Sequence, residues 1–237
     1  MAGYAWKPDR LYVPDGITPE LRRIAIALDL ASHELTRLLG LYELYQALSA
    51  PQFLDSMSGS TALAGISTMR MSLIRNALTI TVALFDEDQR SVHLRRIATT
   101  ITDRRHYASI EAAHVRSGVE YEMDHNLERL EVKCRSMKKG RFPIAFGKLE
   151  KVRNTMLAHY DFENQPDMPF MRDLQYCMVT ALRVADLSNR ILLMRSFTLL
   201  WMRDQVRKQA CALRDAISLG ARQDANPNNS SDRPKSA

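Results

Sequence analysis

From Met171 to Leu219 the chain runs without a single glycine or proline. No other feature constrains the fold as much. A stretch of that length with no breaker reads as helix, whereas strands need turn residues about every ten positions. One straight helix over it would reach about 70 Å, too long for a compact domain of this size. It therefore either breaks near Arg195-Ser196 or projects to meet another subunit. Glycine and proline are scarce throughout, nine of each in 237 residues, so the same reading extends to the whole chain.

The remaining periodicity agrees. Thr18-Pro19-Glu20 supplies a hydroxyl cap, a proline in the first turn and an acid near the positive helix end. Apolar or small residues follow at Leu21, Ile24, Ala25, Leu28, Ser32, Leu35, Leu39 and Tyr42, marking one buried face of a helix that ends near Ser49, before Pro51. After the turn-like SMSGS, a second helix is expected from about Thr61 to Phe85, closed by the polar DEDQRS. A third helical region, 91–138, should be interrupted near Thr102-Asp103. Its second half carries Met123, Leu127, Leu130, Cys134 and Met137 in alternating steps of four and three, like a coiled-coil seam. Gly140 stops it, and Phe142-Pro143 opens a further helix ending near His159. Residues 161–169 read as a loop. We expect an all-α fold, an up-and-down helical bundle with long helices. An irregular arm would occupy 1–17, a single domain 18–220 and a disordered tail 221–237.

Several function classes find no support. The opening MAGYAWKPDR lacks the apolar core of a signal peptide. The longest apolar run, ILLMRSFTLLWM, is broken by Arg195 and falls short of the roughly 18 residues a membrane span needs. A cytoplasmic location with no membrane partner is the expectation. Cys134, Cys177 and Cys211 are widely spaced, form no CxxC and fall on apolar helical phases, so they read as buried reduced thiols. No metal site and no cofactor are expected. His106, His114 and His125 lack the acidic cluster that would complete a zinc site and read as structural or exposed. GxGxxG, GKS/T, GxSxG and HExxH are all missing from the sequence.

The charge is unevenly placed. Between Val132 and Arg153 eight basic residues face one acid, Glu150, a local excess larger than the +6 of the entire chain. Such a segment is either a solvated turn between helices or a surface for a polyanion, which clustered charge attracts far better than dispersed charge.

That basic run ends in LEKVRNTMLAHYDF, residues 149–162, where an arginine, an asparagine and a histidine crowd a helix end. Five residues separate Arg153 from His159. With 25 arginines and six histidines in the chain, chance alone supplies about two R-x(4–6)-H matches, so the spacing by itself says little. Arg153 could simply pair with Glu150 one turn back. His159 could cap the negative end of the helix, with Asn154 and Asp161 satisfying loop amides.

The context L-x-x-V-R-N-x-x-L-A-H-x-D, in an all-α chain and following a basic segment, resembles the HEPN superfamily of helical bundles. Ribonuclease members of that superfamily carry R-x(4–6)-H with a polar residue after the arginine, the position that Asn154 fills. The closer likeness is to abortive-infection-type HEPN proteins of the AbiU group. There a segment like RxxxLAHxD follows two long helices, which ASHELTRLLGLYELYQAL and ISTMRMSLIRNALTITVALFDED resemble. The resemblance covers about Leu28 to Leu187. It implies a metal-independent endoribonuclease, acting as a toxin or antiphage effector and leaving 2′,3′-cyclic phosphate ends. Arg153 and His159 would be catalytic and Asn154 and Asp161 supporting. Arg141, Lys148 and Lys151 would hold the RNA backbone.

The residue chemistry fits such a reaction. Cleaving RNA without a metal needs a base for the ribose 2′-hydroxyl, an acid for the leaving oxygen and positive charge on the transition state. Histidine suits both proton roles near neutral pH, and arginine offers a permanent planar fork matched to phosphate. On a continuous helix the two residues lie about 9 Å and about 120° apart. That is an awkward grip on one phosphate. The resemblance implies a composite site in a homodimer, with which this geometry is consistent, and a possible antitoxin protein as partner. The alternative is a non-catalytic dimeric helical module that binds nucleotide, RNA or protein, with Trp201 and Met202 on the last helix as a partner surface.

Overall fold

The computed structural model describes residues 13–86, 93–118, 122–158, 170–195 and 199–224, giving the backbone alone at 156–158, 199–202 and 222–224. Among the described residues there are nine α-helices and no strand. In order they are α1 Pro19–Leu48, α2 Pro51–Ser56, α3 Ala62–Ala83, α4 Leu94–Ile101, α5 Tyr107–Arg116, α6 Met123–Lys138, α7 Arg141–Ala158, α8 Met171–Leu192 and α9 Leu199–Asp224. The fold is all-α, a bundle of helices, as the periodicity predicts.

Two compact units emerge from the internal packing. One comprises the chain up to Arg37 with Leu78–Leu199, the other Leu38–Ala77 with the chain from Leu200 onward. In the first unit α8 is the hub, packed against α4, α6 and α7, and α6 also touches α4 and α7. The sequence explains that position. Leu174, Cys177, Ala181, Val184 and Ala185 form a fully buried stripe along α8, and buried Thr180 and Leu187 on one side of it and Met178 and Asn189 on the other widen it into a broad face. In the second unit Phe53, Met57, Ile66 and Ile74 supply the core. Its buried Glu43 accepts a hydrogen bond from Arg203 Nε at 2.8 Å.

The start of α1 is as the cap signal predicts: Thr18 Oγ1 accepts from the Leu21 amide at 3.3 Å. Every residue of the anticipated face of α1, from Leu21 to Tyr42, is buried. The glycine-free stretch breaks at the expected place. Met194 adopts a left-handed φ of 51° after α8. Arg195 then folds back, its Nε donating to Asn189 Oδ1 at 3.0 Å and its Nη2 bonding Asp29. Asn189, itself fully buried, donates to Ser32 Oγ at 3.0 Å and to the Ala185 carbonyl at 2.8 Å. Residues 196–198 lie outside the described chain.

Several details depart from expectation. A short helix, α2, precedes the SMSGS turn, begun by Pro51 at its first position and anchored by buried Phe53. The third helical region breaks twice rather than once. After the interruption at Thr102-Asp103, the chain turns again at Gly118 with φ 66°. Leu63 and Met69 of α3 are exposed. Helix α9 runs through Gly220 to Asp224 because one glycine costs a helix only about 1 kcal/mol. Cys134 and Cys177 are buried, but Cys211 is only half-buried. Most of the anticipated arm and tail, and the side chains of Trp201 and Met202, fall outside what is described. No described helix is long and apolar enough to cross a membrane.

Candidate functional site

Helix α7 carries most of the residues singled out above, and an aromatic cluster fixes where it lies. Phe142, fully buried, meets Phe85 edge-on at 4.7 Å between ring centroids and stacks on Phe146 at 5.9 Å. Tyr176 of α8 closes the group at 6.5 Å from Phe142. Edge and stacked contacts of this kind add about 0.5–1.5 kcal/mol each to the area they bury. They tie α7 both to α8 and to the chain leaving α3.

Asp86 follows Phe85 directly, so the cluster that holds Phe85 also delivers a carboxylate to α7. Arg153 Nη1 lies 3.7 Å from Asp86 Oδ2, and Arg153 Nε donates to Asn154 Oδ1 at 3.1 Å. The Arg153 side chain is 21% exposed and that of Asp86 43%. This is an ion pair at the edge of solvent, longer than a hydrogen bond, and not a sealed core pair. The pairing with Glu150 does not form among the described residues; the partner is Asp86.

Arg141 and Lys148 point elsewhere. They stand two turns apart on one helical face and converge on Asp173 in the first turn of α8, at 3.9 and 3.6 Å. The Arg141 guanidinium also lies 4.5 Å from the centroid of the Tyr176 ring. Lys151 is exposed, its carbonyl accepting from Thr155 Oγ1 at 3.0 Å. Two groups therefore form on α7: Arg153 with Asn154 and Asp86, and Arg141 with Lys148 around Asp173. Lys148 and Arg153 are separated by about 140° around the helix. His159 and Asp161 lie outside the described residues.

Sequence reasoning missed both carboxylates. Asp173 had a local signal, an acid in a first helical turn. Asp86 had none, because its partner is far along the chain. The remaining histidines do not gather. His106 and His114 are buried, His114 Nε2 lying 2.7 Å from the Ile191 carbonyl oxygen, while His125 is exposed. Burial raises the Cys177 thiol to about 12, with nearby Asp173 adding to the rise. Among the described residues no group of three or more His, Cys, Asp or Glu is placed to hold a metal ion.

What the arrangement can do chemically follows from charge. A guanidinium held by a carboxylate and an amide keeps one orientation, with its remaining N–H groups free to meet a phosphate. A family model described as AbiU2, of the HEPN type, matches residues 21–199. No curated protein and no solved structure matches the chain.

Proposed function

Because the chain belongs to the HEPN-type AbiU2 family of abortive-infection proteins, we propose that it is a metal-independent endoribonuclease acting as a toxin or antiphage effector. Arg153 and His159 are its catalytic pair, brought together with a second copy of the pair across a homodimer. The observation that carries this reading is the state of Arg153. It sits near the end of α7 with its fork oriented by Asn154 and Asp86 and its side chain still open to solvent.

In the reaction, one imidazole takes the proton of the ribose 2′-hydroxyl, whose oxygen attacks the adjacent phosphorus. A second imidazole gives a proton to the departing 5′-oxygen. The P–O5′ bond breaks as the O2′–P bond forms, leaving a 2′,3′-cyclic phosphate and a 5′-hydroxyl. Arg153 stabilises the charge that builds on the non-bridging oxygens. Arg141, Lys148 and Lys151 hold the strand through its phosphates, which makes binding strongly salt-dependent. Asp161 supports His159. An antitoxin protein is a natural partner for such an activity.

The ion pair with Asp86 also favours a second reading, a dimeric module that binds nucleotide, RNA or protein without chemistry, in which Arg153 is a structural cation. One experiment separates the two. Varied RNAs are incubated in EDTA with wild type, Arg153→Ala and His159→Ala, and the product ends are mapped. The nuclease reading requires cyclic-phosphate products from wild type alone. Equal activity of all three, or none from any, leaves the binding module.

A further inference from the structure

Helices α6 and α8 enclose an open groove of about 560 Å³, and none of the residues that line it belongs to α7. Arg129, Val132 and Lys133 reach it from α6, Arg183 and Leu187 from α8. We propose that this groove binds a phosphate-bearing ligand, with Arg129, Lys133 and Arg183 cradling the phosphate.

Three cations converge there at a cost. Arg129 and Lys133 are one turn apart on the same helix, a spacing at which like charges repel. Arg183 faces them from the neighbouring helix. Among the described residues none of the three has a carboxylate within ion-pairing distance. Two acids do line the groove, Glu128 and Asp186, but Asp186 is engaged by Arg190 at 3.0 Å. The mutual repulsion is visible on Lys133. Its ammonium is pushed below the ordinary lysine value by burial first, then by Arg183 and Arg129. An anion seated among them would relieve that repulsion, and a phosphate offers oxygens enough to meet all three.

The rest of the groove suits what a phosphate carries. Val132 is 47% exposed, an apolar side chain beside Leu187 that a sugar or base could cover. The volume lies within the roughly 300–1,000 Å³ typical of small-ligand sites. The phosphate could belong to a free nucleotide or to one residue of an RNA strand, since the recognising chemistry is the same. This inference does not depend on the nuclease reading, because it uses neither Arg153 nor His159.

The test uses the full chain and reads binding rather than cleavage, so a catalytically inert protein can still pass it. A fluorescent 2′-O-methyl RNA oligonucleotide, which cannot be cleaved, is titrated into wild type and Arg129→Gln/Arg183→Gln, and AMP is titrated by calorimetry into both. Both arginines are exposed, and surface changes of this kind usually alter stability by no more than about 0.5 kcal/mol. Circular dichroism confirms the fold, and Lys133→Gln serves as the second variant. For an RNA strand, affinity falls at least about tenfold, and the log–log salt slope shrinks by about 0.7 as the one phosphate contact is lost. For a free nucleotide, AMP binding is lost while RNA binding holds. The proposal is overturned if both variants bind both probes within about twofold of wild type, or if wild type binds neither.

Discussion

At the scale of single residues, the arrangement turns on how Arg153 is held. Its guanidinium donates to Asn154 Oδ1 on one side and lies 3.7 Å from the Asp86 carboxylate on the other, an ion pair and not a hydrogen bond. A solvent-edge pair of this length contributes less than about 1 kcal/mol to stability, so its value lies in orientation. Asp86→Asn should therefore leave global stability nearly unchanged in urea titrations. RNA cleavage should drop about tenfold or more, because small misplacements of a catalytic group are expensive. RNA affinity should stay within about twofold, since the positive charge remains. A variant that cleaves as fast as wild type would assign Asp86 no positioning role. The cysteines give an independent check on burial. Cys177 is fully buried with its thiol raised to about 12, and the buried Cys134 thiol is raised as well, in both cases chiefly by desolvation. Thiolate is the reacting form. In native protein at pH 8, a disulfide reagent should modify Cys211 alone within minutes, and the other two only on unfolding. The sequence placed all three on apolar phases, but a phase cannot show whether the facing element arrives. For Cys211 it only partly does.

The elements themselves were largely legible, because helix periodicity and caps are local signals. Thr18, Pro19 and Glu20 announced α1, and Gly140 announced the turn between α6 and α7, where its φ is 91°. A methyl group added at Gly140 meets nothing within 4 Å. The cost of Gly140→Ala is thus backbone strain alone, about 1 kcal/mol, and chemical denaturation should read that loss with an unchanged m-value. Asp103, which interrupts α4 and α5, makes a prediction in pH. Its carboxylate accepts from the Arg105 side chain and amide, which draws its pKa from 3.8 down to about 2. A depressed acid contributes stability above its unfolded value, and that contribution fades as pH falls from about 4 towards about 2. Asp103→Asn keeps a capping side chain but cannot titrate. Its melting temperature should fall less steeply than that of wild type over that window, and parallel curves would contradict the assignment. The helix α2 and the break at Gly118 escaped notice because each is only a few residues long, below the window in which periodicity speaks. The pairing of α6 with α8, and with it the cationic groove, is a matter of which helices meet. No single stretch of sequence carries that information.

At the scale of the whole molecule, the proposed nuclease requires more than one chain. Arg153 and the residue six positions later diverge by about 9 Å and about 120° if the helix continues, so a single copy grips one phosphate poorly. A closed two-fold dimer presents the same patch twice and makes such a site self-complementary. Light scattering at micromolar concentration should give twice the 27.1 kDa of one chain. The sharper measurement tests whether the site is shared. Wild type is co-expressed with His159→Ala under separable tags, and cleavage is measured against the fraction of wild-type chains. If each chain works alone, activity falls in proportion to that fraction. If both imidazoles of a dimer act on one phosphate, only the all-wild-type dimers cleave, so an equal mixture retains about a quarter of full activity. A linear dependence would leave the dimer standing but place the chemistry within one subunit. Arg153 and His159 of one chain would then share a phosphate, the continuous-helix separation would not hold between them, and the composite site would have to be given up.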